Sequence, residues 1–313
     1  MRERRVRRVA GLLRARLPEL DLEGVLDPRA REGRWSLAQI LRTTLLGLMA
    51  GCRSLAEAEA LSDTLAPAMR RRLGLPRRLA DTTARDALCR VSLEGLRGVL
   101  HRAVRAAWRR KALASESLPI QVVALDGKVT AVPTLNHPLV QNRVDEQAVP
   151  YGLVRTVTCA LVSAAGRPCI DAIPIPAATN EMGHFRTAFA SLVETYPRLF
   201  DVVTYDAGAL SEPGQWLQLV RCHWGVENNN HHTLDTAFAE DARPWIEADA
   251  QGMLAVLLLR RIAYTLLALY RAVTLRSDDG RATPWKRLMQ SVRDVLVAAT
   301  EEQVAGLEAA AAR

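Results

Sequence analysis

Two aspartates stand at matching places in this chain. Asp126 closes the apolar run IQVVALDGK (Ile120–Lys128), and Asp206 closes LFDVVTYDAG (Leu199–Gly208). Small residues follow each: Gly127 after the first, Ala207 and Gly208 after the second. A carboxylate so placed stands at the rim of a sheet while burial fixes the strand behind it. Carboxylates converging from separate elements are what two-metal phosphoryl transfer needs. They hold two Mg²⁺ about 3.5–4 Å apart, one beside the attacking oxygen and one beside the leaving oxygen. Mg²⁺ or Mn²⁺ in such a site takes carboxylate and water oxygens. Singly, an Asp before Gly is also ordinary turn chemistry.

A third acidic candidate lies in RCHWGVENNNHHTLDTAFAEDA (Arg221–Ala242). On a helix, Glu227 shares a face with His223 at i−4 and His231 at i+4. Such a set could ligate zinc, but the H-E-x-x-H arrangement is missing and helical drift over two turns spreads the three apart.

The elements that must position these residues follow from pattern. Residues 1–113 read as helices: Leu12, Leu13, Leu17 and Leu20 recur at helical spacing, Trp35–Ala50 is an apolar helix, and Ser54–Leu65 and Leu93–Ala112 are further helices. Between them, Arg70, Arg71, Arg72, Arg77 and Arg78 flank a Gly-Leu-Pro turn, and Thr82 or Thr83 is placed to cap the next helix. Two helices joined by a basic turn are compatible with a helix-turn-helix that contacts DNA, and equally with a solvated basic surface. After Pro119 come strands: the Asp126 run, Leu153–Ser163, Pro168–Pro176 and, beyond a helix over Asn180–Tyr196, the Asp206 run. Strand, strand, strand, helix, strand is the opening order of an RNase H-like fold. Helical patterning returns over Val226–Phe238, Ala248–Leu275 and Pro284–Ala298. The expected architecture is therefore α/β: an RNase H-like mixed sheet core over 119–275, an all-α N-terminal domain over 1–113 before it, and a C-terminal helical tail over 283–313 after it.

Charge supports a division of labour. The 313 residues carry a net +8, yet residues 1–119 hold 25 Lys/Arg against 13 Asp/Glu, so the remainder is slightly acidic. An Arg-rich front on an acidic body fits a nucleic-acid grip joined to a catalytic part, although an Arg-biased composition alone would also raise the charge. Five cysteines form no C-x-x-C pair and are odd in number, which argues against a disulfide framework or a zinc ribbon. The N-terminal stretch has no signal-peptide core, and Arg42 interrupts the apolar run Trp35–Gly51, so a cytoplasmic protein without a membrane span is expected.

HWGVEN followed by LD and F-x-ED resembles the H-W-G-I-E-N…L-D-V-x-F-x-E-D block of the H-repeat-associated (ISAs-type) insertion-sequence transposases. ALDGK resembles that family's first-aspartate strand, VTYDAG its second, and Thr179-Asn180-Glu181 its K-x-N-E-I stretch. REGRWSLAQILRTTLLGLMAGCRSLAEAEAL resembles its helical N-terminal domain. The resemblance implies a DDE-type enzyme that cleaves and joins DNA strands with Mg²⁺ or Mn²⁺. Asp126, Asp206 and Glu227 would be catalytic metal ligands, and Lys128, His223, Trp224 and Asn228, with nearby Arg221, would support DNA contact. It implies transposon ends and target DNA as partners, and a homo-oligomer such as a dimer. Trp224 beside a helix start suits core packing as well as base stacking. The chain departs from the family in one large respect: only 21 positions separate Asp206 from Glu227, where the family carries a helix, a strand and a β-rich insertion. Leu234 and His232 also replace family residues. The alternative expectation is thus an internally deleted, catalytically impaired remnant that binds DNA or regulates an active relative.

Overall fold

The computed structural model describes residues 2–29, 33–116, 118–205, 221–242, 244–275, 277–300 and 302–303. Six helices open the chain: α1 (Arg2–Arg16), α2 (Leu37–Met49), α3 (Leu55–Thr64), α4 (Pro67–Arg72), α5 (Asp81–Leu88) and α6 (Leu93–Arg109). Their starts are written in capping chemistry. Ser36 and Gln39 form a reciprocal capping box on α2, while the hydroxyls of Ser54 and Ser92 accept from the backbone N–H of Glu57 and Gly95. The expected threonine cap of α5 is not made. Ala80 is its N-cap, without a side-chain bond, and Thr82 and Thr83 instead line a cleft of about 860 Å³ with Arg29, Arg34, Trp35 and Arg90.

Five strands follow: β1 (Val122–Val132), β2 (Val140–Val144), β3 (Pro150–Leu161), β4 (Cys169–Ile175) and β5 (Val202–Tyr205), with α7 (Glu181–Thr195) between the last two. β3 is the pivot. β1 lies antiparallel along one edge of it, while β2 and β4 share the other edge end to end. β5 lies on the far side of β1 and runs parallel to it, from Val122↔Val202 to Leu125↔Tyr205. The sheet is therefore mixed. Asn180 caps α7 through Gly183 N–H, which sets that helix directly after β4.

Two expectations are corrected. Asp-Gly-Lys is not a turn: β1 continues past it, and Gly127, Lys128 and Val129 pair with Val157, Thr156 and Arg155. Turn propensity yields there because β3 runs alongside and takes up the backbone groups that face it. β2 is an addition to the expected strands, since VQNRV is short and polar. It forms because its backbone pairs with the exposed first half of β3.

Residues 221–225 are helical and lead into a π-helical turn (Val226–His231), which runs on into α8 (His232–Thr236). Next come α9 (Ala250–Leu269), a second π-turn (Tyr270–Thr274), α10 (Asp278–Arg281) and α11 (Trp285–Ala298). α9 is buried on every side and packs on α6, α2 and β4. Ala250–Thr274 is long and apolar enough to cross a membrane, but the protein itself buries its most apolar stretch, and Arg260 and Arg261 lie within it. One hydrophobic cluster extends from Val9 of α1 through Leu125 and Ile173 of the sheet to Leu296 of α11. The helical front and the sheet thus share a core, and burial on both sides fixes the edge on which the candidate site stands.

Candidate active site

Asp126 sits in β1 with its side chain 21% exposed, and its Oδ2 lies 3.2 Å from Nδ1 of His231, whose side chain is 13% exposed. β1 sets the carboxylate, and the π-turn delivers the imidazole. Burial pushes the His231 pKa down to about 3, helped by the positive charges of Arg261 and Lys128. The ring is thus neutral at pH 7, with Nδ1 facing the Asp126 carboxylate. Its Nε2 is buried with no hydrogen-bond partner.

Two residues along the same strand, Lys128 is 7% exposed. Its ammonium donates to Asp235 Oδ1 at 2.5 Å and to Asp241 Oδ2 at 3.2 Å. Lys128, expected from the resemblance to support DNA contact, is held by two carboxylates of the chain. Those are the acids of the LD and ED dipeptides, whose role pattern alone does not reveal. The remaining acid of that block, Glu240, is buried and pairs with the equally buried Arg261, while Arg260 Nη1 donates to the Glu240 carbonyl at 3.4 Å. Burial lowers the Arg260 pKa to about 10. Internal ion pairs thus tie β1 to α8 and to Asp241, and the adjoining Glu240 to α9.

On the other side of β1 the glycine is informative. A Cβ added at Gly127 would fall on the carboxylate of Glu181, the first residue of α7. Glycine in a strand interior often marks such a close approach. Strand alternation puts this contact on the face opposite the Asp126 side chain.

The expected face of His223, Glu227 and His231 is not realised. His223 is buried and its Nδ1 lies 2.9 Å from Thr204 Oγ1 of β5, which ties the helical segment to that strand. His231 meets β1 instead, and Glu227 is exposed one turn before it. The physical reason is the π-turn, whose wider winding abandons the 3.6-residue period on which the shared face depended. Trp224 is 53% exposed, so the packing expectation is corrected: its indole is open to a stacking partner. Arg221 and Asn228 are exposed nearby. Asp206 lies outside the described residues, and β5 is described up to Tyr205, the residue before it. Among the described residues no group of three His, Cys, Asp or Glu is arranged to hold a metal ion.

The basic stretch is divided. Arg70 donates to the carbonyls of Asp63 and Leu65, and Arg78 pairs with Glu59, whereas Arg71 and Arg77 are exposed and Arg72 is half-buried. Comparison with models of known families, with curated proteins and with solved structures finds no match.

Proposed function

We propose that this chain is a metal-dependent phosphoryl-transfer enzyme acting on DNA, a DDE-type transposase that cleaves and joins strands, with Asp126, Asp206 and Glu227 as its acids. The observation that carries the proposal is the parallel pairing of β1 with β5. Its last described pair, Leu125↔Tyr205, sets side by side the residues that precede Asp126 and Asp206. The segment bearing Glu227 docks on the same part of β1 through His231 and Asp126. The strand order β4-β3-β1-β5, with only β5 parallel to β1, supports an RNase H-like reading of the sheet.

The donors present suit Mg²⁺ or Mn²⁺. Asp126 and Glu227 offer oxygen, and a Mg²⁺ site is commonly built from one or two carboxylates completed by water and substrate phosphate. When bound, such ions activate the attacking oxygen and offset charge on the leaving oxygen. The chain's own part is to hold the Asp126 carboxylate on β1 and to keep Lys128 from neutralising it, by tying that ammonium to Asp235 and Asp241. Exposed Trp224, Asn228 and Arg221 lie on the segment that bears Glu227 and would contact a strand laid along it.

A second reading, a catalytically impaired remnant that binds DNA or an active relative, is favoured by the short interval of 21 positions between Asp206 and Glu227. Nicking of supercoiled plasmid in Mn²⁺ tests both. The proposal expects nicks bearing 3′-hydroxyl ends, abolished by Asp126→Asn with DNA affinity kept. Plasmid that is bound but left intact supports the remnant, and nicking that survives Asp126→Asn removes Asp126 from the chemistry.

A further inference from the structure

We infer that His231 is a positioning residue, which holds the Asp126 carboxylate in its metal-binding orientation through its Nδ1–H. The inference rests on the metal-dependent reading above and adds to it a residue outside the acidic triad.

Three observations carry it. The imidazole and carboxylate are 3.2 Å apart and both largely buried, so the contact is shielded from water that would otherwise solvate the acid on that side. An imidazole nitrogen facing a carboxylate oxygen at this distance carries the hydrogen. Nε2 is buried with no hydrogen-bond partner, so no competing acceptor turns the ring away from Asp126 or favours the other tautomer. The ring itself is held by backbone, because it closes the π-turn Val226–His231, whose Val226 and Asn230 are completely buried. π-turns are rare and cluster at functional sites. Here the turn presents Glu227 to solvent and His231 to Asp126, so one backbone feature sets two of the groups around the site.

Mg²⁺ demands near-ideal octahedral geometry. A carboxylate that swings freely meets that demand less often than one pinned by a donor, and loss of an outer-shell partner commonly weakens metal affinity about 10–100-fold. Asn at position 231 can place an amide N–H close to where Nδ1–H stands, while Ala cannot.

The test is Mn²⁺ binding to the full chain, read as loss of the free-ion paramagnetic resonance signal, with circular dichroism and thermal melting to establish folding. Expected results are measurable binding by the wild type, about 10–100-fold weaker binding by His231→Ala, affinity within a few-fold of wild type for His231→Asn, and none for Asp126→Asn. Wild-type affinity in a folded His231→Ala protein, with binding still abolished in Asp126→Asn, overturns the positioning role and leaves the metal site standing. Equal weakening in His231→Ala and His231→Asn also overturns it, since the donor would not be the feature that matters. If the wild type binds no Mn²⁺, the metal-dependent function itself falls, and the inference with it.

Discussion

Gly127 stands inside β1, where glycine is unfavourable relative to alanine by about 0.5–1 kcal/mol. β3 pairs it through Val157, so no turn requires it. Its role is spatial, because the Glu181 carboxylate occupies the place of a Cβ. Gly127→Ala should therefore lower the melting temperature of the wild type, by driving that carboxylate from its seat. In a Glu181→Ala background the same change should raise it, because only the strand-favouring effect of alanine remains. A thermal double-mutant cycle reads the coupling directly, and such contacts commonly give about 0.5–3 kcal/mol. Equal destabilisation in both backgrounds would show that something other than Glu181 excludes the methyl group. The neighbouring Lys128 carries a related lesson about reading residues singly. In the sequence it is one basic residue beside an acid and looks available to phosphate, and only the fold reveals the two carboxylates, 107 and 113 positions away, that hold it.

Elements are legible where local chemistry decides them. α2, α3, α6 and α7 carry side-chain caps, and the structure places them within a few residues of their expected bounds. What escapes is decided by partners. β1 runs on through Asp-Gly-Lys because β3 is there to pair with it, and the π-turn breaks the helical period in a segment whose His231 meets β1 and whose His223 meets β5. Asp126 can thus be singled out from sequence, whereas its contact with His231 cannot. Another long-range tie joins α6 to β4. Arg97 donates to both oxygens of the buried Asp171 at 3.0 and 2.7 Å, and His101 Nε2 lies 3.1 Å from Oδ2. Burial works to raise the Asp171 pKa, but hydrogen bonds from His101 and Arg97 outweigh it and hold the carboxyl below its ordinary value. A depressed folded pKa gives stability that is fully present above the unfolded value, near 4, and lost as pH falls through the folded value. Asp171→Asn should cost up to about 3–5 kcal/mol at pH 7, since it leaves the buried Arg97 with only the exposed Glu94 to offset its charge. Denaturant melts should show that gap narrowing below about pH 4, and a constant gap down to pH 2 would place the stabilisation elsewhere.

At the scale of the whole molecule, charge is segregated although the core is not. The hydrophobic cluster joins helical front and sheet without a break, yet the basic excess of the chain belongs to residues 1–119. Hydrophobic burial is indifferent to the sign of surface charge, so this segregation bears on partners rather than on folding. Much of the positive charge is already answered inside the protein: Arg29 pairs with Asp27, Arg78 with Glu59, Arg90 with Asp86, and Arg97 with Asp171. Paired arginines release fewer counterions on meeting a polyanion, so the basic residues around the Gly-Leu-Pro turn should contribute unequally to DNA binding. The adjacent Arg77 and Arg78 make the comparison, since both are exposed but Arg78 is held by Glu59. Arg77→Ala should weaken binding and flatten the plot of log affinity against log salt by up to about 0.9, the slope that one neutralised phosphate supplies. Arg78→Ala should change that slope little, because its guanidinium is already paired with a carboxylate of the chain. The measurement is a salt titration of duplex DNA binding by fluorescence anisotropy for both variants. A slope that falls equally in the two would mean that internal pairing does not withhold arginines from DNA. A slope unchanged in the first would take Arg77 out of the interface and direct attention to the cleft beside Arg34 and Trp35.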